Sequence, residues 1–134
     1  MLRWETVHDQ LKDLLFLLMR EPRFDSFRLV GGTSLSLQIG HRLSIDIDLF
    51  SNAGYGNLDY DAIDQFLRQR YSFVSNPVGP TAIGRSYFVG ETEQNSLKLD
   101  LYYFDAFIEP VLEAEGIRMA STNDILAMKL DVVS

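Results

Sequence analysis

Seven consecutive residues, Ser44 to Phe50, alternate without a break: Ile45, Ile47 and Leu49 fall on one side, and Ser44, Asp46, Asp48 and Phe50 on the other. Successive side chains point to opposite faces only in a strand, so this period of two selects a half-buried strand over an amphipathic helix. Its polar side is unusual. Aspartate is depleted in strands, and two like charges on one face repel unless something cationic sits with them. At a rise of about 3.3 Å per residue the two Cα atoms lie roughly 6–7 Å apart, so both carboxylates can reach one site. Two readings follow: a solvated strand face carrying two exposed acids, or a seat for a hard divalent ion such as Mg²⁺, which also takes substrate phosphates as ligands.

What precedes this strand sharpens the second reading. Phe24 to Val30 reads as a short apolar strand, cut by Gly31-Gly32 and followed by a helix-compatible stretch from Thr33 to Ile39, with Gly40 at its stop position. Glycines at a strand-to-helix turn let a phosphate approach the backbone, where the helix start offers unpaired N–H donors and a positive dipole end. Thr33 and Ser34 add hydroxyls at the same place. A tight turn with no ligand is the alternative, and four residues alone do not decide between them.

Around this centre the remaining elements follow from periodicity. Val7, Leu11, Leu14, Leu15 and Leu18 share one helical face, and that helix should end near Arg20, because Glu21 precedes Pro22. Beyond the Gly/Asn-rich stretch from Ser51 to Asn57, Asn57 or Asp59 can cap a second long helix carrying Ile63, Phe66 and Leu67. Tyr71 to Ser75, Ile83 to Val89 and Ser96 to Phe104 are aromatic and β-branched, separated by turn residues, and read as antiparallel strands. A last helix should start after Ser121 or Thr122, with Asp124 in its first turn, and run to the end of the sequence. Helices and strands mixed in this order predict one α+β domain over residues 1–134, with a mixed sheet flanked by helices.

Composition narrows the chemistry. With 134 residues the chain can bury a real core without staples. It has no cysteine, which excludes disulfide scaffolds, thiolate zinc sites and cysteine nucleophiles and makes a reducing, cytoplasmic setting the expectation. His8 and His41 are the only histidines, too few for a histidine-rich metal site or a defensible Ser-His-Asp arrangement. The formal charge of −7 opposes broad adhesion to nucleic acid or an anionic membrane, and the apolar run from Leu14 to Met19 is far shorter than the ~20 residues a membrane span needs.

A third acid recurs in the strand from Ser96, where alternation puts Lys98 and Asp100 on one face and Leu97, Leu99 and Leu101 on the other. If this strand neighbours the Asp46/Asp48 strand, three carboxylates converge. Two Mg²⁺ ions held there would stabilise both the attacking and the leaving oxygen of an in-line phosphoryl displacement, with Asp100 near the attacking hydroxyl. An ion pair of Asp100 with Lys98 or Arg85 is the plainer alternative. Lys129, on the last helix, can snorkel to solvent or reach a phosphate. Arg42 can bind a phosphate bidentately, whereas His41 is equally a helix cap or a packing residue. Tyr102, Tyr103 and Phe104 fit sheet surface and core better than a base-stacking platform.

The run from Leu29 to Phe50, LVGGTSLSLQIGHRLSIDIDLF, resembles the AbiEii/AbiGii-type toxin nucleotidyltransferases, a branch of the DNA-polymerase-β-like nucleotidyltransferase superfamily. The resemblance extends through LKLDL (97–101) and IRMASTNDILAMKL (117–130) and so covers most of the chain. It implies a nucleotidyltransferase-like fold and Mg²⁺-dependent transfer of a nucleoside monophosphate from an NTP to an acceptor, with release of pyrophosphate. By that likeness Gly31, Gly32 and Ser34 hold the triphosphate, Asp46 and Asp48 hold the metals, Asp100 is the third carboxylate, and Lys129 contacts the nucleotide phosphates. It further implies an RNA or tRNA acceptor, a cognate antitoxin protein as partner, and a further helical segment after the final helix. Two other readings use the same residues. A non-catalytic nucleotide-binding or protein-interaction module would act through a partner docked on the last helix, and a metal-dependent phosphohydrolase would release phosphate without labelling an acceptor.

Overall fold

α1 (Asp9–Arg20) forms as its spacing dictates and buries Leu11, Leu14, Leu15, Leu18 and Met19. It stops where Glu21, ahead of Pro22, turns extended at φ −85°, ψ 122°. Pro22–Phe24 then make one 3₁₀ turn, for which proline's fixed φ is suited, so the strand expected from Phe24 starts only at Phe27. The computed structural model describes residues 2–6, 8–39, 46–53, 58–77, 84–104 and 107–133. Val7, Gly40, His41, Arg42, Ser44, Ile45, Asn57 and Ile83, all used in the sequence reading, lie outside them.

β1 (Phe27–Val30) runs straight into α2 (Gly31–Ile39), which begins at the first glycine rather than at Thr33. β2 (Asp46–Ser51) carries the alternating acids. α3 (Tyr60–Arg70) is capped by Asp59, whose carboxylate accepts the Ala62 N–H at 3.0 Å. Of the strand expected over Tyr71 to Ser75, β3 covers Phe73–Val74, because Tyr71 closes α3 by donating its N–H to Leu67 O at 2.9 Å; Ser75 still donates its N–H to Phe88 O at 3.0 Å. β4 (Gly84–Gly90) and β5 (Ser96–Tyr103) follow. A hairpin that the sequence reading did not anticipate comes next, β6 (Leu112–Ala114) and β7 (Ile117–Met119). Its two turn residues, Glu115 and Gly116, have φ of 53° and 84°, as a twist-matched two-residue turn requires. α4 (Thr122–Val133) is capped by Ser121, whose hydroxyl accepts the Asp124 N–H at 3.0 Å.

The strands form one mixed sheet in the order β3-β4-β5-β2-β1-β7-β6. β3, β4 and β5 are antiparallel neighbours as expected, β2 is antiparallel to β1, and two pairs are parallel: β2 with β5, and β1 with β7. Register sorts the side chains of the central strands between two unlike faces. Leu29, Ile47, Leu49, Leu99, Leu101 and Tyr87 line up on one face and are fully buried against the apolar sides of α1 and α3. The other face carries Asp46 opposite Lys98, Asp48 opposite Asp100, and Phe50 opposite Tyr102. A second, smaller cluster of Val30, Ala120 and Ile125, with Phe50 and Phe107 against it, holds the start of α4 near that face. The chain is therefore an α+β fold whose largest apolar core lies on one side of the sheet, leaving the polar residues of the central strands on the other.

Candidate active site

The parallel pairing of β2 with β5 brings together acids that are 52 positions apart in sequence: Asp48 and Asp100 are Cα partners, and Asp46 lies one pleat along, beside Lys98. All three carboxylates thus project from one face of two adjacent strands. Asp100 is 9% exposed; Asp46 and Asp48 are half-buried. The Asp48 carboxyl is pushed up to about 7, first by burial, then by its hydrogen bond with Asp100 and the charges of Asp100 and Asp46, with Lys98 pulling the other way.

Each oxygen of Asp100 has a donor. The Ser86 hydroxyl, directly across on β4, donates to Oδ1, and Lys98 Nζ stands 3.4 Å from Oδ2. Ser86 Oγ also lies 3.2 Å from the Tyr102 hydroxyl, so Tyr102, Ser86 and Asp100 form one chain of polar contacts. The Lys98 ammonium is held above its ordinary range chiefly by Asp100, with Asp46 and Asp48 adding to the effect. Of the two cations considered for Asp100, Lys98 is the one that meets it. Arg85 pairs with Leu101 across the sheet, lies on the opposite face, and sits over the Tyr60 ring.

The glycine turn abuts this acidic row from the β1 side. Val30 is the Cα partner of Asp48, so the next residue, Gly31, starts α2 beside the Asp48 carboxylate. Gly31 has φ +73°, and a Cβ there would collide with Asp48 Oδ2 and come within 3.2 Å of its Cγ. Only glycine suits both demands. α2 begins at Gly31, and the N–H groups of a helix's first turn have no partner within the helix, which is what makes a helix start suited to an anion. The hydroxyls behind them already have protein partners: buried Thr33 donates to Asp46 O, and buried Ser34 accepts from Gln38 Nε2 at 2.9 Å. Thr33 thereby pins α2 to the strand that carries the acids. Gln38 also donates to Ala120 O at 3.2 Å and accepts from Thr122 Oγ1 at 3.0 Å, which joins α2 to the start of α4.

Lys129 belongs to α4, and its side chain lies outside the described residues, as does the whole of Arg42. The structure thus gathers Gly31, Asp46, Asp48 and Asp100, and places Gly32, Thr33 and Ser34 in the helix that begins beside them. Ser86 and Tyr102 were missed as neighbours of Asp100. A serine or tyrosine inside an aromatic strand carries no signal of its own until register sets it opposite an acid.

As the side chains stand, no three acidic or histidine groups among the described residues are close enough to hold a metal ion. The donor chemistry nonetheless fits one: hard carboxylate oxygens on a shared face, whose mutual repulsion a cation would relieve. No helix among the described residues is long and apolar enough to cross a membrane.

A family model described as the nucleotidyl transferase AbiEii toxin of a type IV toxin–antitoxin system matches residues 13–134. That span takes in the glycine turn, all three aspartates and α4. A search among curated proteins gives no match.

Proposed function

Because the chain belongs to the AbiEii family of nucleotidyl transferase toxins of type IV toxin–antitoxin systems, we propose that it transfers a nucleoside monophosphate from an NTP to an acceptor hydroxyl, with pyrophosphate leaving. The observation that carries this reading is the register of Asp48 with Asp100, one pleat from Asp46 and against the glycine that opens α2. The N–H groups at the start of α2 would receive the triphosphate, with Gly31 leaving the room a side chain would fill. Lys129 is proposed as a further phosphate contact from the family likeness, and Arg42 from the bidentate fit of a guanidinium to a phosphate.

Asp46, Asp48 and Asp100 would hold Mg²⁺, which when bound supplies positive charge to the phosphoryl oxygens and lowers the pKa of a coordinated hydroxyl. Asp100 lies on the β5 side of the row, away from α2, so an acceptor hydroxyl would approach over β5 and β4. There Asp100 would take the acceptor's proton, and the Ser86 hydroxyl on its Oδ1 would fix the direction in which it does so. An RNA or tRNA end is the proposed acceptor and a cognate antitoxin the proposed protein partner, both from the family likeness. With a −7 chain, such an acceptor would be gripped locally at the site rather than by the overall field.

The test is incubation of the purified protein with α-labelled NTPs, Mg²⁺ and total RNA, following label transfer and pyrophosphate release together. Label in RNA with stoichiometric pyrophosphate supports the reading. Release of free phosphate with no labelled acceptor would replace transfer by hydrolysis.

A further inference from the structure

Lys98 occupies an unusual position for a strand lysine. It is the Cα partner of Asp46, sits two residues before Asp100 on the same face, and brings Nζ to 3.4 Å from Asp100 Oδ2. Its charge interacts with Asp100, Asp46 and Asp48 together. The side chain is 41% exposed, so the ammonium keeps a path to water and is not locked in place. A long, flexible stem carrying a compact charge can leave one anionic partner for another at little steric cost.

We propose that Lys98 is an internal counter-ion of the three acids, one that competes with a divalent cation for their oxygens and passes its charge to the triphosphate when the cation enters. The inference rests on the proposed nucleotide-binding reading of this site. Where Lys98 neutralises part of the row, a bare divalent ion gains less by binding, because it must displace an ammonium already in contact. When the ion arrives with a polyphosphate, the released ammonium finds new anionic oxygens beside it, so the two ligands enter together more readily than either alone. Lys98 is in this sense a positioning residue: it enforces joint loading of metal and nucleotide, and it stands on the β5 side of the row, across from the helix N-terminus that approaches from β1.

Two titrations of the same proteins test this. Mn²⁺ alone is titrated into the wild-type chain and into Lys98→Met, and each of the four ribonucleoside triphosphates is titrated with Mg²⁺ present. In the variant, Mn²⁺ alone should bind about tenfold more tightly, the size of one screened charge interaction near a protein surface, and the triphosphate about tenfold more weakly. Lys98→Arg, which keeps the charge, should hold both constants near wild type. Opposite movement of the two constants is the signature, since a variant that merely loosened the site would weaken both. Mn²⁺ affinity unchanged or reduced in Lys98→Met overturns the proposal, as does an unchanged triphosphate affinity. Failure of the functional reading looks different: the wild-type chain itself would bind no triphosphate, while the Mn²⁺ arm would still report on the lysine.

Discussion

Strands β2 and β5 present two faces that share a backbone and differ in everything else. On one face Ile47, Leu49, Leu99 and Leu101 are fully buried among leucines of α1 and α3. On the other, one residue away in each case, Asp46, Asp48, Lys98 and Asp100 meet in register. The apolar face gains stability from every neighbour it excludes from water. The acidic face does the reverse, since burying Asp48, and then setting it against Asp100 and Asp46, raises its pKa to about 7 and stores unfavourable energy in the folded state. The stable face thus holds in place a face that would not assemble by itself.

That comparison is most easily broken with two adjacent substitutions. Leu99→Ala should cost about 2–5 kcal/mol of stability, the usual loss for a buried leucine, and lower activity only as far as it lowers the folded fraction. Asp100→Ala should leave the melting temperature within a few degrees of wild type and reduce label transfer about a thousandfold, equivalent to about 4 kcal/mol of transition-state stabilisation. If Asp100→Ala unfolds the chain, or if Leu99→Ala removes activity from fully folded protein, the division of labour between the faces is wrong.

The acidic face should also show itself in the pH dependence of stability. Asp48 titrates at about 7 when folded and near 3.8 in the unfolded chain, so between those values the folded state keeps a proton the unfolded state has lost. Its contribution is therefore most favourable below about pH 4 and declines as pH rises through 7. Asp48→Asn should be more stable than wild type at pH 8, by on the order of 1–3 kcal/mol, with the difference vanishing near pH 4. Chemical denaturation at the two pH values, without added divalent ion, reads this directly.

The smallest effect calibrates the others. Asp59 caps α3 on the far side of the core from the acids, and Asp59→Ala should lower stability by about 1 kcal/mol. Triphosphate binding should be untouched.

Legibility in the sequence followed the same division. The two faces of β2 could be read from Ser44 to Phe50 because a half-buried strand writes its orientation in a period of two, and Lys98/Asp100 repeat the pattern. The α+β class, the end of α1 at Pro22 and the caps at Asp59 and Ser121 were likewise local matters of periodicity, proline and N–H satisfaction. What local pattern does not encode is which strands become neighbours. The parallel register of Asp48 with Asp100 is a non-local pairing, and so is the placement of Ser86 opposite Asp100. The β6–β7 hairpin was missed for another reason: Glu113, Glu115 and Arg118 dilute its alternation, and Glu115-Gly116 is a weaker turn signal than Asn-Gly or Asp-Gly. The late start of β1 reflects Pro22, which favoured a 3₁₀ turn and sent Phe24 into the core before pairing began.

The most direct test of the central claim, that the acidic face is a metal-assisted nucleotide site carried by an independently stable core, is calorimetric titration of the wild-type chain and the Asp46→Ala/Asp48→Ala double variant. Each NTP is titrated with and without Mg²⁺, beside thermal melts of both proteins. The expected result is Mg²⁺-dependent binding that disappears in a double variant melting no lower than wild type. Binding that survives the loss of both aspartates, or a variant that no longer folds, would contradict it.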